Sequence, residues 1–314
     1  MTFLPKTQAF SAEINTVTIG TGACAVTFGG GSALPFYTFD APTVHAPKIG
    51  AEVSDLGLSA YPQKGLREFY AGCESVADMA KRAQTMPGVS FLCLCFESAD
   101  PNGLNRPVAD CVALAKQVHE VTDLPLVLSG CKHIEKDAAL FAAICAALPG
   151  EPFLLLSARE ENYREIAASA QTSGGQTVGA ESSVDISLAK QLNVLLTQAG
   201  VAPEHIVMNA GAAAAGYGFE YVISTMERIR TAALAQDDEL LQMPMLVPVS
   251  AEAWSVKEAV MPEAELPAWG ECEQRGIEME ITTAAACLAS GADAVILRHP
   301  SAAAAISALI DALA

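Results

Sequence analysis

Eight brief aliphatic runs are the feature that most limits what this chain can become. They fall at residues 49–53, 89–96, 125–128, 153–156, 177–180, 205–208, 244–249 and 292–297, and each is followed by a stretch with helical periodicity. Runs this short, rich in Val, Ile and Leu, read as strands, and their alternation with helices is the mark of parallel βαβ units. Eight such units in sequence favour closure over an open sheet. The expected fold is therefore α/β, a TIM-type (β/α)8 barrel over residues 49–314, and 314 residues is an ordinary length for one.

The intervening segments support this reading. Residues 108–121, 136–148, 219–234, 276–289 and 302–313 are rich in Ala, Leu and Glu, all good helix formers. Ser157 with Glu160 reads as a capping box where the fourth strand hands over to its helix, and Ser182 with Asp185 as a looser version of the same device. Only residues 255–276 break the rhythm. They are rich in Pro and Glu around Trp269 and read as an embellishment of the seventh βα loop. Ahead of the barrel, residues 16–19 and 25–28 alternate weakly across the glycine-containing turn 20–22, so residues 1–48 are expected to form a β-hairpin extension. Gly29 to Gly31 resemble a phosphate loop, but no helix follows and Pro35 comes soon after, so they read as a turn.

Composition excludes several partners. A net charge of -18 repels polyphosphate backbones and anionic bilayers, so neither nucleic acid nor a membrane surface is expected. Residues Met1 to Phe10 lack the charged and apolar regions of a secretory signal. The longest apolar stretch, residues 138–148, is far short of the roughly 20 residues that span a bilayer. A cytoplasmic protein is the expectation. The nine cysteines stand at 24, 73, 93, 95, 111, 131, 145, 272 and 287 with no C-x-x-C, so neither an iron–sulfur cluster nor a zinc site is expected in this chain. They read as reduced thiols, mostly buried.

In a β/α barrel, function collects where strands end, because the loops there vary while the strands hold them. That rule selects Asp55; Glu97, Ser98, Asp100 and Asn102; Ser129 and Cys131; residues 157–162; residues 181–185; residues 209–218; residues 250–254; and Arg298 with His299. The set is rich in amides and hydroxyls and offers no nucleophile–base–orienter combination. His299 is the one histidine that clearly ends a strand, and it reads as a residue packed at the barrel rim. Glu160 and Glu161 read as acids placed for a helix N-terminus, and Glu227, Arg228 and Arg230 as a solvated ion-pair face. The sixth loop, residues 209–218, is mostly Ala and Gly. It reads either as a small-residue surface admitting something large and flat or as a set of tight turns anchored by Tyr217.

Several strings carry a resemblance. They are Asp100-Pro-Asn-Gly103, Ser157-Ala-Arg-Glu-Glu-Asn-Tyr163, Asp185-Ile-Ser-Leu-Ala-Lys-Gln-Leu-Asn193, Gly216-Tyr-Gly-Phe-Glu-Tyr221 and Ser224-Thr-Met-Glu-Arg-Ile-Arg230. Leu34-Pro-Phe-Tyr37, Gln242-Met-Pro244, Glu252-Ala-Trp254, Pro267-Ala-Trp-Gly270 and Leu297-Arg-His-Pro300 extend the match. On these strings the chain resembles the corrinoid iron–sulfur protein small subunit, the delta subunit of acetyl-CoA decarbonylase/synthase, over about residues 16–300.

The resemblance implies a barrel related to pterin-binding methyltransferases. It implies a heterodimer with a large subunit that carries the iron–sulfur cluster and most contacts to a corrinoid (cobalamin). A methyltetrahydrofolate methyltransferase and acetyl-CoA synthase would be transient partners. This chain would then shield the corrinoid and supply no catalytic residue. Ser98, Asp100, Asn102, Ser157, Ser182, Asn209, Gly211 and Tyr217 are the expected cofactor contacts. The sixth loop departs from the family's Asp-Pro-Thr-Thr-Gly type of run, reading Asn209-Ala-Gly-Ala-Ala-Ala-Ala215. Two alternatives accompany this reading. One is a stand-alone pterin-dependent methyltransferase using Asp55, Asp100, Asn102 and Asn209; the other is a corrinoid-free scaffold barrel.

Overall fold

The eight aliphatic runs become eight parallel strands of one sheet. In the computed structural model, which describes residues 6–314, these are β3 (Lys48–Ser54), β4 (Val89–Cys95), β5 (Leu126–Ser129), β6 (Leu154–Ala158), β7 (Thr177–Glu181), β8 (Ile206–Asn209), β9 (Leu246–Val247) and β10 (Ala294–Leu297), preceded by the antiparallel hairpin β1 (Val17–Ile19) and β2 (Val26–Phe28). The order β8-β7-β6-β5-β4-β3-β10-β9 runs around a cylinder. A parallel bridge between Met208 and Met245, with Met208 N donating to Pro244 O at 2.8 Å, joins the two ends. The TIM-type barrel expected from the alternation is what forms. Sequence neighbours lie side by side around the sheet, and the first barrel strand pairs with the last.

Two apolar layers hold the cylinder. Inside it, Phe91, Cys93, Val127, Leu154, Leu156, Val207, Leu246, Ala294 and Ile296 pack together with Val17, Ile19, Val26 and Phe28 of the hairpin. The hairpin therefore caps the N-terminal end of the barrel, with Phe28 edge-on to Phe91 at 5.8 Å. Gly50 makes this packing feasible, since a Cβ there would lie 2.1 Å from the Phe91 ring. The second layer lies between strands and helices and includes Ile49, Val53, Leu92, Leu94, Leu128, Leu140, Phe141 and Leu155. Burial on both faces is why each strand had to be apolar without alternation.

Eleven helices surround or edge the sheet among the described residues. The long ones are α3 (Val108–Val121), α4 (Ile134–Ala147), α5 (Tyr163–Thr172), α6 (Ile186–Gln198), α7 (Phe219–Ala235), α10 (Cys272–Ala289) and α11 (Pro300–Leu313). The shorter ones are α1 (Lys64–Phe69), α2 (Val76–Ala83), α8 (Val249–Ala253) and α9 (Lys257–Val260). Both expected caps are corrected by the structure. Ser157 stays inside β6, and α5 opens only at Tyr163 after Asn162, so Glu160 and Glu161 occupy an exposed turn ahead of the helix. At α6 the cap is Asp185 itself, accepting from Ser187 N at 2.7 Å and Leu188 N at 3.1 Å. At β6 the strand runs on past Ser157 because Ala158 still pairs with Ala180 of β7.

Arg230 is also corrected. It is 4% exposed and pairs with Asp293 at 2.7 Å, because that face of α7 turns toward the base of β10. The irregular segment after β9 contains α8, α9, a 3-10 turn at Pro267–Trp269 and the first turn of α10. No helix among the described residues is long and apolar enough to cross a membrane. Residues 138–148, the longest apolar stretch, lie almost wholly in α4. The Met1 to Phe10 stretch read for a secretory signal lies partly outside the described residues.

Candidate functional site

The C-terminal ends of the strands open into a polar mouth, with about 670 Å³ of space partly open to solvent. Its floor is set by side chains that point along the barrel axis. Glu52 in β3 is 4% exposed and accepts from Arg298 Nε at 2.6 Å and from Ser250 Oγ at 2.6 Å. A carboxylate this buried is tolerable only because it is paired and hydrogen-bonded. Burial opposes the charge on Arg298, but Glu52 more than offsets this, so the guanidinium stays firmly protonated. Its plane lies over the Tyr61 ring at 5.5 Å, and Tyr61 stacks on Tyr70.

Around this floor two further ion pairs form. Arg159 Nη2 meets Glu181 Oε1 at 2.7 Å, and Lys132 Nζ meets Glu252 Oε1 at 3.4 Å. Asp137 accepts from Cys131 N at 2.7 Å and Cys131 Sγ at 3.2 Å, and burial pushes its carboxyl up. Asn209 Nδ2 donates to Ser157 Oγ at 3.1 Å, while Asn209 Oδ1 accepts from Gly211 N at 3.1 Å. Gly211 has φ 89°, so the loop turns through a conformation that a side chain would strain. Beyond it, Ala212 and Ala213 lie half-buried on the lip.

Of the expected contacts, the mouth brings together Ser157, Asn209 and Gly211. Ser98 is buried beside it, donating its backbone N–H to Asp55 Oδ1 at 2.9 Å and its hydroxyl to Asp55 Oδ2. Arg106 approaches the same carboxylate at 3.8 Å. Asp100 and Asn102 stand in a loop outside the mouth, where Asn102 N donates to Asp100 Oδ1 at 2.8 Å. Ser182 is fully buried, its Oγ without a partner among the described residues. Tyr217 lies farther out, 45% exposed, with its hydroxyl donating to Glu258 at 2.6 Å.

His299 is packed at the rim as its sequence position suggests. Its Nδ1 accepts from Ser301 N at 3.1 Å and caps α11, so the proton sits on Nε2, 3.2 Å from Glu273 Oε1. Burial lowers its pKa, which keeps the ring neutral. Behind it, Glu280 is wholly buried and accepts from Arg298 N at 2.6 Å and His299 N at 3.1 Å. Burial raises this carboxyl to about 7 despite the two donors. It fixes the turn that aims Arg298 at Glu52. Sequence reasoning missed Glu52, Asp137, Lys132 and Glu280. The available signal was a lone acid in an otherwise apolar segment, clearest for Glu52 in Lys48–Ser54.

No group of three or more His, Cys, Asp or Glu side chains converges as a metal site among the described residues. A second cavity, of about 630 Å³, lies at the opposite end between residues 29–47 and the Arg230–Asp293 pair. It is lined mostly by Pro, Ala and other apolar side chains and contains no convergent chemistry.

Similarity to known proteins fits this geometry. A family described as CO dehydrogenase/acetyl-CoA synthase delta subunit matches residues 16–310. The acetyl-CoA decarbonylase/synthase complex subunit delta of Archaeoglobus fulgidus is 30% identical over 326 residues, covering 99% of this chain and 71% of that one. The corresponding subunit of Methanothermobacter thermautotrophicus is 30% identical over 301 residues, covering 95% and 75%. Among solved structures, dihydropteroate synthase from Xanthomonas albilineans with 4-aminobenzoic acid superposes with a TM-score of 0.57 at 13% identity, covering 95% of this chain and 98% of that one. The Thermus thermophilus enzyme in complex with 6HMPPP gives 0.53 at 15% identity, covering 87% and 96%. At such identities the likeness shows the barrel fold alone. The match along almost the whole chain is decisive where the fold is not: this chain belongs to the CO dehydrogenase/acetyl-CoA synthase delta subunit family.

Proposed function

We propose that the chain is the small, non-catalytic subunit of a corrinoid methyl carrier. In this reading its barrel mouth closes one face of a corrinoid held mainly by a larger, cluster-bearing partner in the cytoplasm. The methyl group would pass from a methyltetrahydrofolate or methyltetrahydropterin, through a separate methyltransferase, to acetyl-CoA synthase. One observation carries the reading: the mouth presents polar groups already paired with one another and a lip of small residues.

The residues present suit such a group as a lid. The available space lies within the range of sites for drug-sized ligands, so a corrinoid would lie across the mouth instead of inside it. Gly211, Ala212 and Ala251 leave room for a flat macrocycle. Asn209, Ser157, Arg159 and Lys132 offer hydrogen bonds suited to its peripheral amides. The corrinoid, when bound, supplies the nucleophilic cobalt. This chain's part is to exclude water from that face, to orient the ring through Ser157, Asn209 and Gly211, and to keep the local field near neutral. Asp100, Asn102 and Tyr217 belong to the same proposal as outlying contacts beyond the mouth, while Ser98 and Ser182, being buried, would act only by supporting the loops that bear them.

A stand-alone methyltransferase is the second reading, favoured by the buried carboxylate Glu52 beside a cavity of small-molecule size. The test is reconstitution of the full chain with and without its large subunit. The pair is expected to hold one corrinoid by its visible absorbance, while the chain alone holds neither corrinoid nor methyltetrahydrofolate in calorimetry. Binding of methyltetrahydrofolate by the chain alone would favour the second reading. A stable pair devoid of corrinoid would leave only a scaffold.

A further inference from the structure

Two cysteines in the mouth have no part in that proposal. Cys93 and Cys95 occupy successive inward positions of β4, beside Val127 and Ser129 of β5, and both line the mouth. Their Sγ atoms are 3.7 Å apart. Two sulfurs bound tetrahedrally to one ion at about 2.3 Å are separated by roughly 3.8 Å, so the thiols already span one edge of such a site. We propose that Cys93 and Cys95 form a dithiolate site for a thiophilic divalent cation, of the zinc and cadmium class, at the floor of the barrel mouth.

Two carboxylates flank the pair of thiols. Cys93 pairs in register with Glu52, and Cys95 with Ser54, whose hydroxyl donates to Glu97. A coordinating thiol gives up its proton outright when the cation binds. Binding then forms two metal–sulfur bonds and releases two protons, with no change of oxidation state.

The protein supplies only these two ligands, since Glu52 is committed to Arg298 and Ser250. Any further coordination positions are left to water or to an incoming ligand, so the site is of the open, exchangeable kind and not a closed structural one. It does not depend on the corrinoid reading, as it uses only atoms of this chain.

The probe is Cd(II), titrated anaerobically into the full chain with a thiol-free reductant and followed by the ultraviolet thiolate-to-cadmium charge-transfer band. The expected result is saturation at one equivalent with the intensity of two thiolates. Cys93→Ser or Cys95→Ser should halve the band and weaken binding at least tenfold, whereas Cys111→Ala, in α3, should leave both unchanged. As a check free of any folding defect, Cd(II) should protect the partly exposed Cys95 of the unaltered chain from alkylation, read by mass spectrometry. The proposal is overturned if no saturable band forms, if the full band survives in the Cys93→Ser/Cys95→Ser chain, or if Cys95 gains no protection.

Discussion

Glu280 shows how one buried acid can set the geometry of a site it never enters. Its carboxyl sits in the core, raised to about 7 by burial, and its two acceptor bonds hold the turn from which Arg298 reaches Glu52. The linkage has a definite sign. Between the ordinary glutamate range and about pH 7 the unfolded chain loses this proton while the folded chain keeps it, so the Glu280 contribution to stability falls as pH rises. The whole effect is on the order of 3 kcal/mol. Glu280→Gln is therefore expected to flatten the decline in stability over this interval in urea unfolding at stepped pH. An unchanged slope would mean that Glu280 is ionised in the folded protein.

Among the elements, the hairpin has the largest leverage for its size. Its Phe28 is 2% exposed and fills the N-terminal end of the cylinder against Phe91, completing an inner core that the strands alone would leave open to water. Phe28→Ala is expected to destabilise the chain by about 3–5 kcal/mol, because the closed barrel cannot collapse around the cavity. Chemical denaturation measures this, and a cost under about 1 kcal/mol would show that the hairpin is only an accessory to the barrel. The elements were also where sequence reading succeeded and where it failed. All eight strands were legible because burial on both faces favours aliphatic runs, and the long helices because they are rich in good helix formers. Helix starts were less so: Ser157 and Ser182 have the chemistry of caps, but strand pairing keeps Ser157 in β6, and Asp185 takes the cap at α6.

At the scale of the whole molecule, the proposed role has the mouth covering a cofactor instead of converting a substrate. If the lip of the sixth loop faces a flat macrocycle, bulk placed there should interfere with cofactor retention and not with folding. Ala212→Trp is expected to lower corrinoid retention by the reconstituted pair about tenfold, equivalent to about 1.4 kcal/mol, while the chain's own melting temperature stays within a few degrees. Equal retention by this variant would move the cofactor's resting place away from the sixth loop.

The sequence by itself determined the parallel β/α order, the barrel and the hairpin, because each follows from local periodicity and from which faces must be buried. It also directed attention to the strand ends, and Ser157, Asn209 and Gly211 do converge there. Only the tertiary structure decided which charges meet. Glu52 lies 246 residues from Arg298 and 198 from Ser250, and Arg230 lies 63 from Asp293. Pairings over such separations leave no periodic trace along the chain, since they depend on the closure of the cylinder that brings its first and last strands side by side.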